Sequence, residues 1–99
     1  MAYFVEVRPA ADKVLTRLPS LIRGRLQRAI NSLATEPRPP GVRQVAGRAE
    51  RTYRIRVGDY RVLYEIEDER VLVIVVTVGH RGDIYRLRED GLMYVANAV

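Results

Sequence analysis

The 99-residue chain contains no cysteine, no tryptophan, one histidine and one phenylalanine. Without cysteine there is no disulfide staple, no thiolate metal site and no cysteine nucleophile, and one histidine cannot build a histidine-rich zinc cage. No metal and no cofactor are therefore expected. Long apolar runs are missing too. Nothing approaches the roughly 20 residues needed to span a bilayer, and the start, Met1-Ala2-Tyr3-Phe4-Val5-Glu6, lacks the basic-then-apolar layout of a secretory signal. A cytoplasmic chain with no membrane partner is expected. Lysine is almost absent: of 17 basic residues, all but Lys13 are arginine.

What is present fits one small domain. With 47% hydrophobic and 29% charged residues, the chain is too apolar to be disordered and too short for two cores. The net charge is +5, and its positive part lies in the first two thirds; residues 62–77 set Arg70 against Glu65, Glu67, Asp68 and Glu69. The flat, weakly hydrated guanidinium suits bidentate phosphate contact and base stacking, so the arginine bias points to a polyanionic partner. GC-rich coding enriches arginine with no functional cause and is the plain alternative.

Periodicity orders the elements. Tyr3 to Arg8 reads as a first strand, with Pro9 suited to the first turn of a helix from about Ala10 to Leu18. Pro19-Ser20 breaks the chain, and Ser20 is the expected N-cap of a second helix whose Ile22, Leu26, Ala29, Ile30 and Leu33 recur at helical spacing. That helix must stop before Pro37-Arg38-Pro39-Pro40-Gly41. Tyr53, Ile55 and Val57 then alternate with Thr52, Arg54 and Arg56, Gly58-Asp59 forms a Gly-first hairpin turn, and Tyr60, Val62, Tyr64 and Ile66 alternate in the return strand. Val71 to Val78 is an almost unbroken β-branched run, the pattern of a central strand covered on both faces. A weak further strand is expected within Gly41 to Glu50. The resulting fold class is α+β: an N-terminal strand, a two-helix hairpin, then three to four antiparallel strands in a twisted sheet, with the helices on one face.

Counting outward from Gly58-Asp59 sets Val57 opposite Tyr60, Arg56 opposite Arg61 and Arg54 opposite Leu63. Arg54, Arg56 and Arg61 then share one face. Like charges directly across a ladder destabilise by up to about 1 kcal/mol, so Arg56 beside Arg61 is not a choice made for stability. Either the pair splays into water or is relieved by a carboxylate such as Glu65, or the three arginines seat a phosphate. At the end of the long strand, Val78-Gly79-His80-Arg81-Gly82-Asp83-Ile84-Tyr85 presents His80, Arg81 and Tyr85 in a glycine-flanked turn. Histidine ordinarily titrates near neutrality, which makes His80 a candidate acid or base. Tyr85 suits stacking on an unpaired base, with core packing as the plain alternative. Arg23, Arg25 and Arg28 on the second helix add to the basic surface, with a solvated helix face as the plain alternative.

Tyr53-Arg54-Ile55-Arg56-Val57-Gly58-Asp59-Tyr60-Arg61-Val62-Leu63-Tyr64, followed by the segment Val78 to Tyr85, resembles the RelE branch of the RelE/ParE toxin superfamily. The resemblance spans about Ala2 to Arg88. It divides the chain into a toxin domain at residues 1–88 and a C-terminal segment at residues 89–99 that matches no family motif. It implies a RelE-like microbial RNase fold and a ribosome-dependent endoribonuclease that cuts mRNA in the A site by metal-free 2′-OH attack. A RelB-like antitoxin would hold it inactive; ribosome and mRNA would be its other partners. Carried over by position, Arg54 and Arg56 take two basic strand positions often lysine in the family, Arg61 and Arg81 contact phosphate, and Tyr85 stacks on the substrate nucleotide. Arginine is a poor proton acceptor at neutral pH, so Arg54 and Arg56 are weak candidates for general base. The alternatives are a ParE-like inhibitor of DNA gyrase that acts by binding, and an RNA-binding module whose catalysis has decayed.

Overall fold

A computed structural model of the chain describes residues 2–45 and 52–80, together with the backbone of residues 86–87 and 93–94. Strand β1 (Phe4–Val7) leads into helix α1 (Pro9–Arg17), which starts on Pro9 because proline has no N–H to leave unsatisfied there. α1 ends at Leu18, whose ψ of 151° is the extended geometry that a following proline enforces. Helix α2 (Ser20–Ser32) follows at once. Ser20 is its first helical residue and not its N-cap: Arg23 N–H donates to Pro19 C=O at 2.9 Å, so Pro19 takes the cap position and the serine makes no capping bond.

The remaining chain builds a sheet. β2 (Arg43–Gln44), β3 (Thr52–Val57), β4 (Tyr60–Glu67), a 3-10 turn at Asp68–Arg70 and β5 (Leu72–His80) follow in order. The five strands run β1-β5-β4-β3-β2 across the sheet. The β2–β5 run is antiparallel, whereas β1 lies parallel to β5 with Phe4 opposite Leu72 and Val7 opposite Val75. The sheet is thus mixed: the N-terminal strand enters beside the central strand, for which the whole intervening chain serves as the long connection that parallel pairing demands. β5 starts at Leu72 because Val71 is left-handed, with φ 52°, at the end of the 3-10 turn. β6 (Arg86–Leu87) and β7 (Met93–Tyr94) form a separate antiparallel pair, so part of the C-terminal segment is ordered against the chain just before it.

Both helices pack on one face of the five-stranded sheet. Ala11 and Leu15 of α1, Leu26 and Ile30 of α2, and Leu33 meet Ile55, Val62, Tyr64, Ile66, Val73, Val75 and Val78. Burying an aliphatic side chain of this kind contributes about 1.5–3 kcal/mol, which fixes the helices over this face. The opposite face carries the arginines.

Candidate phosphate-binding cleft

The β3–β4 hairpin sets the geometry. Gly58 has φ +59°, as the first central residue of a type II′ turn requires. The register is Val57 opposite Tyr60, Arg56 opposite Arg61 and Arg54 opposite Leu63. On the far side of β3, Arg43 of β2 stands opposite Arg54. Two like-charged cross-strand pairs therefore share the face away from the helices, within about 7 Å along the strands and about 10 Å across them. Gly41, Arg43, Arg54, Arg56 and Arg61 line one cleft of about 270 Å³. Glu65 is on the same face but opposite Thr52, four residues along β4 from Arg61 or about 13 Å. It stands diagonal to Arg54, nearer to the Arg43–Arg54 end of the cleft than to the Arg56–Arg61 pair.

Arg43 and Gly41 were not among the residues singled out from the sequence. Their place depends on the proline-rich connector. Val42 N–H donates to Pro39 C=O at 3.1 Å and Gly41 has φ +86°, a type II turn in which Pro40 and Gly41 occupy the positions suited to each. The turn is anchored from the helix side. Arg38 makes a forked ion pair with Asp68 at 2.9 and 3.3 Å and lies over the Tyr53 ring, 5.3 Å from its centroid. Tyr3 O–H donates to the same carboxylate at 2.7 Å, and Tyr64 O–H donates to Pro37 C=O at 2.7 Å. The hydrogen bonds from Arg38 and then Tyr3 hold the Asp68 carboxyl below its ordinary pKa; burial pushes the Tyr64 phenol up. The sequence marked this connector by its proline run and glycine, which end the second helix. The weak strand expected within Gly41 to Glu50 is β2, but nothing in the sequence set it against Arg54.

Of the other site residues expected from the sequence, Arg81 and Tyr85 lie outside the described residues. His80 is described, and it is not with the arginines. It stands opposite Tyr60, which packs against the core under the helices. The two rings meet edge to face, with centroids 5.4 Å apart and planes at 85°. The neighbouring pair, Arg61 opposite Gly79, faces the other way. Among the described residues no three His, Asp or Glu side chains group to hold a metal ion, and no helix is long and apolar enough to cross a membrane.

A helical hairpin on one face of a mixed sheet and an arginine-lined cleft on the other define a small α+β domain with a concentrated positive face. The family described as ParE toxin of type II toxin-antitoxin system, parDE, matches residues 5–85, and the chain belongs to it, within the RelE/ParE superfamily. It is 37% identical over 90 residues to Toxin RelG of Mycobacterium tuberculosis, covering 87% of this chain and 99% of that one. It is 31% identical over 83 residues to the mRNA interferase toxin RelE of Escherichia coli, covering 82% and 85%. The fold matches the toxin-antitoxin complex RelBE2 of M. tuberculosis with a TM-score of 0.71 and 30% identity over 82% of this chain and 100% of that one. The RelE-RelB complex of Pyrococcus horikoshii gives 0.71 and 29% over 83% and 98%. The chain is a toxin of the RelBE type.

Proposed function

We propose that this toxin is a ribosome-dependent mRNA endoribonuclease of the cytoplasm, restrained by a RelB-like antitoxin. One observation carries the reading: Arg54, Arg56 and Arg61, joined by Arg43, converge in a single cleft where stability alone would have separated them. The relative named mRNA interferase supports the reaction class, and the RelE-RelB complexes among the structural relatives support the partner.

In the proposed reaction the 2′-oxygen of a ribose attacks the adjacent phosphorus. A new 2′-O–P bond forms, the P–O5′ bond breaks, and the 2′-OH proton is lost as the 5′-oxygen gains one, leaving a 2′,3′-cyclic phosphate and a 5′-hydroxyl. Alignment of the three atoms and neutralisation of the charge on the five-coordinate phosphorus lower the barrier. Arg61 and Arg81 grip the scissile phosphate, Arg54 and Arg56 neutralise it and its neighbour, and Tyr85 stacks on the nucleotide.

The test is primer extension on mRNA from cells briefly induced for this chain, beside Arg61→Ala and Tyr85→Ala. Discrete in-frame cuts are expected from the native protein, reduced by about 100-fold or more without Arg61. The family's ParE description favours a second reading, a gyrase inhibitor that acts by binding. Growth arrest with intact mRNA and stabilised gyrase–DNA breaks would select it.

A further inference from the structure

We propose that His80 is a positioning residue of the arginine cleft, acting through its ring contact with Tyr60 and taking no part in proton transfer; this rests on the nuclease reading above. Side chains alternate across a strand, and residues directly opposite each other share a face. Tyr60 and His80 are opposite, and their ring contact lies on the helix side. Arg61 and Gly79, one step inward, face the cleft. A proton acceptor must come within about 3 Å of the proton it takes, or reach it through one water. With its ring against Tyr60, His80 faces away from the side of the sheet on which Arg61 lines the cleft.

A bulge puts it there. The β4–β5 register slips between Leu63, opposite Thr77, and Tyr64, opposite Val75, so Val76 is an extra residue in β5. Counted without a slip from Ile74, which shares the arginine face with Glu65, His80 would join that face. The extra residue reverses the parity, and His80 emerges among the helix-side groups. There Tyr60 lines a small gap with Ile22, Leu26, Val57 and Asp59. Arg25 of α2 closes it, its guanidinium 3.7 Å from where a Cβ on Gly58 would lie. Among the described residues, Asp59 and Arg25 are the charged groups that line this gap, beside the Tyr60 phenol.

The His80–Tyr60 pair is the last rung of the β4–β5 ladder, beside the turn that sets Arg56 against Arg61. Its role is to clamp that end, so that Arg61 keeps its aim while the phosphate charge develops. Misplacement of a catalytic group by about 1 Å can cost 100-fold in rate.

The experiment compares His80→Phe, His80→Ala, Tyr60→Leu and the double variant Tyr60→Leu/His80→Ala in mRNA cleavage on programmed ribosomes across pH 5.5–8.5. His80→Phe keeps the ring and loses the titratable group. It is expected to cleave within about threefold of the native protein with an unaltered pH profile. His80→Ala and Tyr60→Leu should each lose about tenfold or more, and the double variant no more than the worse single one. His80→Phe as inactive as His80→Ala, or a limb of the pH profile abolished by it, would overturn the proposal in favour of proton transfer. If the native protein cuts no mRNA, the nuclease reading is what fails. The clamp is then judged from urea unfolding of the same four variants: non-additive losses support it, and strictly additive losses refute it.

Discussion

Val71 has φ 52°, in the left-handed region where a β-branched side chain crowds the following carbonyl. Its neighbours hold it there from both sides: its N–H donates to Asp68 C=O at 3.1 Å, and its own C=O accepts from Phe4 N–H at 2.8 Å. That second bond ties β1 to the start of β5, so the strained residue helps place the parallel strand. Asparagine tolerates this conformation far better than valine. Val71→Asn is expected to raise stability by about 1 kcal/mol, less whatever apolar burial the half-exposed valine contributes. Urea unfolding checks this; an equal or lower midpoint would show that the side chain's packing outweighs its strain.

At the scale of elements, the proline-rich connector depends on Asp68. The carboxylate joins a residue before β1, the connector and the 3-10 turn, which are far apart in sequence. Its pKa is depressed in the folded protein, so its stabilisation is present above the unfolded value of about 3.9 and is lost as pH falls through the folded one. The melting temperature of Asp68→Asn is accordingly expected below that of the native protein by a constant amount from neutrality down to about pH 5. The gap should close at lower pH. Thermal melts over pH 2.5–7 measure it, and a gap that persists at the acid end would show that the ionised carboxylate is not what anchors the connector. The hairpin at Gly58-Asp59 is different in kind, because its register follows from the turn alone, whereas the connector's position needs three distant elements.

For the molecule as a whole, four of the described arginines, Arg43, Arg54, Arg56 and Arg61, gather in a concave cleft on the sheet face. If single-stranded RNA binds there, each phosphate neutralised contributes about −0.7 to the slope of log K against log salt. Arg56→Ala should therefore flatten the slope by roughly that amount, while Arg28→Ala on the helix face leaves it unaltered. Fluorescence anisotropy with a labelled oligoribonucleotide over a salt series reads both. Equal flattening by the two variants would spread the RNA over the surface and remove the cleft's special status.

The chain order of helices and strands, the proline breaks and the shared face of Arg54, Arg56 and Arg61 were determined by the sequence itself, because each rests on local rules: a period, a missing N–H, a two-residue turn from which pairs are counted. Three features were decided only by the tertiary structure. β1 runs parallel beside β5 instead of joining an antiparallel set, since closure over most of the chain length leaves no local mark. Arg43 faces Arg54 because the anchored connector delivers a two-residue strand too short to show alternation. His80 leaves the arginines because β5 is apolar on both faces, so its parity is unreadable from the residues, and the extra residue at Val76 reverses it.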